Sequence, residues 1–126
     1  MGRSLKLLVP FALAAALGST GAFAAGNAAS GADLFKRCMM CHTADKGGPN
    51  RIGPNLFGVV GRKSGTAPGF AYSRAMAGAG IVWSEATLVP YLQSPSTVVA
   101  GTKMTFAGFS NATQAADVAA YLATLK

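Results

Sequence analysis

The chain has 126 residues, with 11 Lys+Arg against 4 Asp+Glu, two cysteines, one histidine and 51% hydrophobic residues. That length accommodates one ordinary domain, and two cysteines are too few to build a disulfide scaffold. The formal charge of +7 points to an anionic partner, but the chain has no basic cluster, recognition motif or groove-reading helix, which argues against nucleic acid.

The first element is an export signal. Arg3 and Lys6 make a short basic start, residues 7–17 form an apolar run of eleven, and Ala22-Phe23-Ala24 is a small-x-small cleavage pattern. This predicts a signal peptide over residues 1–24, removed to leave one domain over 25–126. A membrane-spanning helix needs about 20 apolar residues, so no stable membrane insertion is expected. Cleavage leaves 102 residues with 9 basic and 4 acidic side chains, a charge of +5. Much of the mean hydropathy of +0.36 therefore belongs to the signal. Of the 49 apolar residues that remain, 19 are alanine, which buries little area at about 25 cal/mol per Å². Something besides side chains is expected to fill the centre of the fold.

Ser30, with Asp33 three residues on, reads as the cap of a short helix whose Gly31, Leu34, Phe35 and Cys38 share one face. Cys38-Met39-Met40-Cys41-His42 follows. A C-x-x-C-H run reads as a covalent haem c attachment site. Two thiols three residues apart lie on nearly the same side of a helical turn, within reach of the two vinyl groups on one porphyrin edge, and His42 is then aimed at the iron. The same residues admit three alternatives. A thioredoxin-like dithiol needs a βαβ context that is missing. Structural zinc normally takes four ligands, so one would have to be a carboxylate. A plain disulfide in an oxidising compartment leaves the histidine incidental.

Residues 43–69 include ten Gly or Pro among 27 and predict a long loop, of a length that is uncommon unless it wraps something. Ser84 opens a further helix carrying Leu88, Tyr91 and Leu92, and Pro90 within it predicts a kink or break at a cost of about 3 kcal/mol. Asn111 with Gln114 caps the last helix, whose Val118, Tyr121, Leu122 and Leu125 repeat the apolar spacing. The two terminal helices are expected to pack on each other.

If His42 binds one face of an iron, no second histidine exists for the other, which leaves methionine, lysine, water or nothing. Met39 and Met40 sit inside the attachment turn, and Met76 reads as a filler of core gaps. Met104, 62 residues after His42 in a glycine-bounded loop, is the preferred ligand, with a core role as its alternative. On their own, Tyr72, Trp83, Tyr91 and Phe106 read as core aromatics, and Arg62 with Lys63 as a solvated pair.

The order of CMMCH at 38–42, GPNLFGVVGRKSG at 53–65, APGFAYS at 67–73, Trp83, YLQSP at 91–95 and GTKMTFAG at 101–108 resembles the class I cytochromes c, in their mitochondrial and bacterial c2-like branch. The resemblance covers essentially the whole mature chain. It implies an all-α cytochrome c fold, with three main helices and long Gly/Pro-rich loops around one haem c bound through thioethers at Cys38 and Cys41. It also implies axial ligands His42 and Met104, with the Pro54 carbonyl accepting from the His42 ring N–H. Arg62, Tyr72 and Trp83 match positions that hold the haem propionates. Tyr91 and Thr102 match groups near the methionine ligand, and Phe106 an aromatic beside the exposed haem edge. The chain departs from the family at Met76, where many relatives carry a polar residue, at Pro90 inside a family helix, and at Ser96 and Thr97, where mitochondrial relatives carry docking lysines.

With both axial positions filled, the expectation is a soluble one-electron carrier, not an enzyme; Met/His ligation and burial raise its potential. Arg37, Lys46, Arg51 and Lys103 are the cations expected to steer redox partners with acidic docking surfaces. The donor would be a bc1-type complex or dehydrogenase and the acceptor a terminal oxidase or reaction centre, as in a respiratory chain. The protein is expected to be a periplasmic monomer whose +5 falls to about +3 with two ionised propionates. Two other readings stay open: a haem enzyme with peroxidase-like activity at an open iron, and a haem subunit docked permanently in a larger redox complex.

Overall fold

The computed structural model describes Gly2, Pro10 and residues 25–126; the expected signal segment otherwise lies outside the described residues. Helix α1, Ala28–Leu34, runs on into a 3-10 turn, Phe35–Arg37, and is followed by α2 Arg74–Ala77, α3 Glu85–Gln93, α4 Pro95–Val98 and α5 Ala112–Ala123. Among the described residues there is no strand, and Lys63 pairs with Val82 in an isolated antiparallel bridge. The fold is all-α, with α1, α3 and α5 as its main helices. The one-turn helices α2 and α4 were not foreseen, because four residues are too few to show periodicity; α2 starts on the Ser73 side chain, which accepts from Met76 N–H, and α4 on Pro95.

The start of α1 corrects the sequence reading. Asn27, not Ser30, is the cap: its side chain accepts from Ser30 N–H at 2.9 Å. Asn and Ser are comparable caps, and a long-range bond decides between them. The Asn27 N–H donates to Asp117 Oδ1 at 2.8 Å, so one residue both opens α1 and ties it to α5. The expected packing of the terminal helices is present. Gly31 is buried at their contact, where a Cβ would stand 1.9 Å from the Asp117 carbonyl oxygen. One turn on, the Phe35 and Tyr121 rings meet with centroids 5.2 Å apart.

Pro90, where a kink or break was expected, does not break the helix. Helix α3 is unbroken from Glu85 to Gln93, opened by a capping box between Ser84 and Thr87. The missing N–H of Pro90 deprives the Ala86 carbonyl, and both residues are exposed, so water can satisfy that group. The opposite face buries Leu88, Tyr91 and Leu92, and that burial holds the helix together. The chain departs from helical geometry at Ser94 instead (φ −153°, ψ 76°).

The core joins Phe35, Trp83, Leu88, Leu92, Val99, Phe109, Val118 and Leu122. Residues 43–69 form the expected non-helical loop, but a fixed one. Gly58 N–H donates to Leu125 O, Gly61 N–H to Trp83 O and Ser64 N–H to Ile81 O, while Val59 and Ala67 are buried.

Candidate functional site

The loop, α3, α5 and the 102–106 segment enclose a cavity of about 410 Å³, within the usual size of a cofactor pocket. Every residue singled out as a site candidate lines it: Cys38, Cys41, His42, Pro54, Arg62, Tyr72, Trp83, Tyr91, Thr102, Met104 and Phe106.

Beyond the 3-10 turn, Cys41 N–H and His42 N–H both donate to the Cys38 carbonyl, at 3.1 and 2.9 Å, so the attachment run forms a single tight turn with both thiols free and half-buried. Burial, with the neighbouring Cys41 adding to it, pushes the Cys38 thiol up to about 11.

His42 Nδ1 donates to Pro54 O at 2.7 Å, which leaves Nε2 as the lone-pair nitrogen in the neutral ring. Burial holds the imidazole pKa below its usual value, against the opposing Pro54 bond, so the ring is held in the neutral form that binds metals. The sequence reading missed Gly53. A Cβ there would stand 2.3 Å from His42 Cε1, so only glycine lets the chain pass against the face of the ring. The available signal was the Gly preceding Pro54.

Met104 is half-buried and held at two atoms: Tyr91 Oη donates to its sulfur at 3.7 Å, and its own N–H donates to Thr102 Oγ1 at 3.2 Å. Burial pushes the Tyr91 phenol above its usual pKa, with the Thr102 hydroxyl pulling the other way, so the hydroxyl remains a donor. Next to Met104, Lys103 Nζ donates to Ala71 O and lies 4.6 Å from the Phe70 ring centroid, a clamp absent from the sequence reading.

Trp83 is buried with its ring centroid 4.8 Å from that of Tyr91. Tyr72 Oη accepts from Ala67 N–H at 3.0 Å. Arg62 donates to Asn55 O at 3.1 Å and Phe57 O at 3.4 Å, so part of its guanidinium braces the loop. Phe106 stacks edge-on against Phe109. Met76 packs against the core, as expected, and also lines the cavity. Of the four cations expected at the rim, Arg37 and Lys103 line the cavity, whereas Lys46 and Arg51 do not. Arg37, Arg62, Lys63 and Lys103 all face it and no carboxylate does, a field suited to a cofactor with acidic substituents. Two free thiols, an imidazole with Nε2 available, a thioether and an apolar wall fit a haem.

Residues 28–126 match the family profile described as Cytochrome c. The chain is 47% identical to cytochrome c2 of Rhodomicrobium vannielii over 111 residues, covering 88% of this chain and 89% of that protein. It is 50% identical to cytochrome c of Chlamydomonas reinhardtii over 99 residues, 78% of this chain and 88% of that protein. With cytochrome c2 of Rhodopseudomonas palustris the identity is 49% over an alignment of 117 residues, 79% of this chain and 99% of that protein.

Proposed function

The chain belongs to the cytochrome c family, and on that premise we propose that His42 and Met104 ligate its haem iron within one domain spanning residues 25–126. It is an electron carrier and not an enzyme, with a haem c held through its cysteines. When bound, the haem supplies a one-electron Fe(III)/Fe(II) couple. The single observation that carries the ligand reading is the meeting of His42 and Met104, 62 residues apart in sequence, on the one cavity that both thiols also line.

Each side chain has a task in that reading. Pro54 and Gly53 hold the His42 ring in one tautomer and orientation, while Tyr91 and Thr102 hold the Met104 sulfur and backbone. Trp83, Leu88, Val118 and Leu122 keep water from the cavity wall. The cations facing the cavity neutralise acidic substituents that would be costly to bury unpaired. A thioether ligand and a dry site both favour Fe(II), which raises the potential.

Residues 1–24 are a cleaved signal peptide in this reading, and the mature monomer works in the periplasm between respiratory redox proteins with acidic docking surfaces. Among the described residues no helix is long and apolar enough to cross a membrane. The optical spectrum of the ferric protein tests the ligation. The native protein should show the weak red charge-transfer band of methionine sulfur on iron, and Met104→Ala should lose it. A native protein without the band, or a variant that keeps it, overturns the assignment.

A further inference from the structure

Met39 and Met40 have no packing role. An interior methionine fills gaps, but Met40 is 76% and Met39 54% exposed, and neither packs against the core. The other two methionines of residues 25–126, Met76 and Met104, are half-buried and packed against that core. Met104 is covered further at its reactive atom, because Tyr91 Oη donates to the sulfur and so engages a lone pair. The four thioethers divide into a covered pair and a solvent-facing pair. The solvent-facing pair is also held in place. Gly53 N–H donates to Cys41 O at 2.8 Å, and the Arg51 guanidinium donates to Met39 O at 3.3 Å. Met40 lines the same cavity as Met104, so a small molecule entering past the attachment turn meets the Met40 sulfur in the wall. Exposed Arg37 lines that cavity as well, and together with Arg51 it raises the local concentration of small anions.

From this division we infer that Met39 and Met40 are a modification site, a pair of sacrificial thioethers that take hypochlorous acid and its anion before these reach Met104. In each event the sulfur gives up an electron pair and gains an oxygen, the O–Cl bond breaks, and chloride and a proton leave. One thioether and one hypochlorous acid thus yield one sulfoxide, one chloride and one proton. A sulfoxide reductase drawing two electrons from a dithiol restores the thioether and releases water, so the guard is renewable. An oxygen on a solvent-facing sulfur displaces no core atom. At Met104 the same oxygen would turn an apolar, flexible side chain into a polar one inside the cavity. The inference goes beyond the carrier reading and rests on it only for the reason that Met104 must be spared.

The test titrates the mature, haem-loaded ferric protein with hypochlorite and reads each methionine by peptide mass. Wild type should gain about 16 Da at Met40 and at Met39 over the first equivalents, with Met104 unmodified until both are spent. Met39→Leu/Met40→Leu keeps the apolar surface and removes the sulfur. Its Met104 sulfoxide should appear about two equivalents earlier than in wild type, and the weak red band should decline from the first addition. Met76→Leu, which removes a covered thioether, should leave the wild-type order unchanged. The order of oxidation in wild type needs no variant, so the test survives poor maturation of the double variant. A wild-type protein in which Met104 is oxidised before or together with Met40 overturns the inference. So does a double variant whose Met104 is oxidised at the wild-type dose. Peptide mass reads Met104 whether or not its sulfur is on the iron, so a native protein without the red band defeats the ligand reading and leaves the order of oxidation to decide this one.

Discussion

Gly31→Ala sets helix propensity against packing, and the two predict opposite signs. In an isolated helix the substitution stabilises by about 1 kcal/mol. In this protein the added Cβ would stand 1.9 Å from the Asp117 carbonyl oxygen, 2.5 Å from its carbon and 2.9 Å from Tyr121 Cβ. Two of those atoms are backbone in the middle of α5, so the clash is relieved only by moving α1 off α5. Overpacking of this kind costs about 3 kcal/mol, and separating the helices also weakens the Phe35–Tyr121 ring contact, worth about 1 kcal/mol. The net loss is about 3 kcal/mol, or a fall in Tm of roughly 10–20 °C for a domain this size. Guanidinium titration followed by far-ultraviolet circular dichroism measures it. Ala29→Gly, at an exposed position of the same helix, is the control and should lose only about 1 kcal/mol. A Gly31→Ala protein as stable as wild type would show that the helix contact is looser than these distances and would refute the argument.

Two further outcomes follow from the same geometry. Pro90→Ala should stabilise the protein by about 2 kcal/mol, because it restores an N–H for the Ala86 carbonyl against a smaller loss from the freer unfolded chain; a Tm at or below wild type contradicts this. Tyr91→Phe removes the hydroxyl that donates to Met104. Such a bond draws electron density from the sulfur and favours Fe(II), so the variant's potential should fall. A weak bond of about 0.5–1 kcal/mol corresponds to roughly 20–40 mV for one electron. Spectroelectrochemistry checks it, and an unchanged or higher potential contradicts it.

The site was far more legible than the fold that presents it. Cys38, Cys41 and His42 lie within five residues, and covalent attachment depends on that local spacing, so the chemistry could be read without knowing any distant contact. The caps at Ser84 and Asn111 were legible for the same reason, since a cap acts within its first turn. Ser30 was misread because two good caps lie three residues apart and a bond from Asn27 to Asp117, 90 residues away, selects between them. Pro90 does not break the helix because propensity prices a proline in isolation, whereas Leu88, Tyr91 and Leu92 bury the opposite face.

The amino-acid order by itself therefore determined the cofactor and the three main helices, and it singled out the His42 and Met104 proposed as ligands, all carried by local spacing or by the ordered set of motifs. Only the tertiary structure decided how closely chains approach at Gly31 and Gly53, and which cations face the cavity. It alone showed that Lys103 clamps the segment beside Met104 and that Met40 and Ile52 are both exposed where they line the cavity. Those properties arise where segments far apart in sequence meet, and the physical quantity that matters there is a distance, which no spacing along the chain encodes.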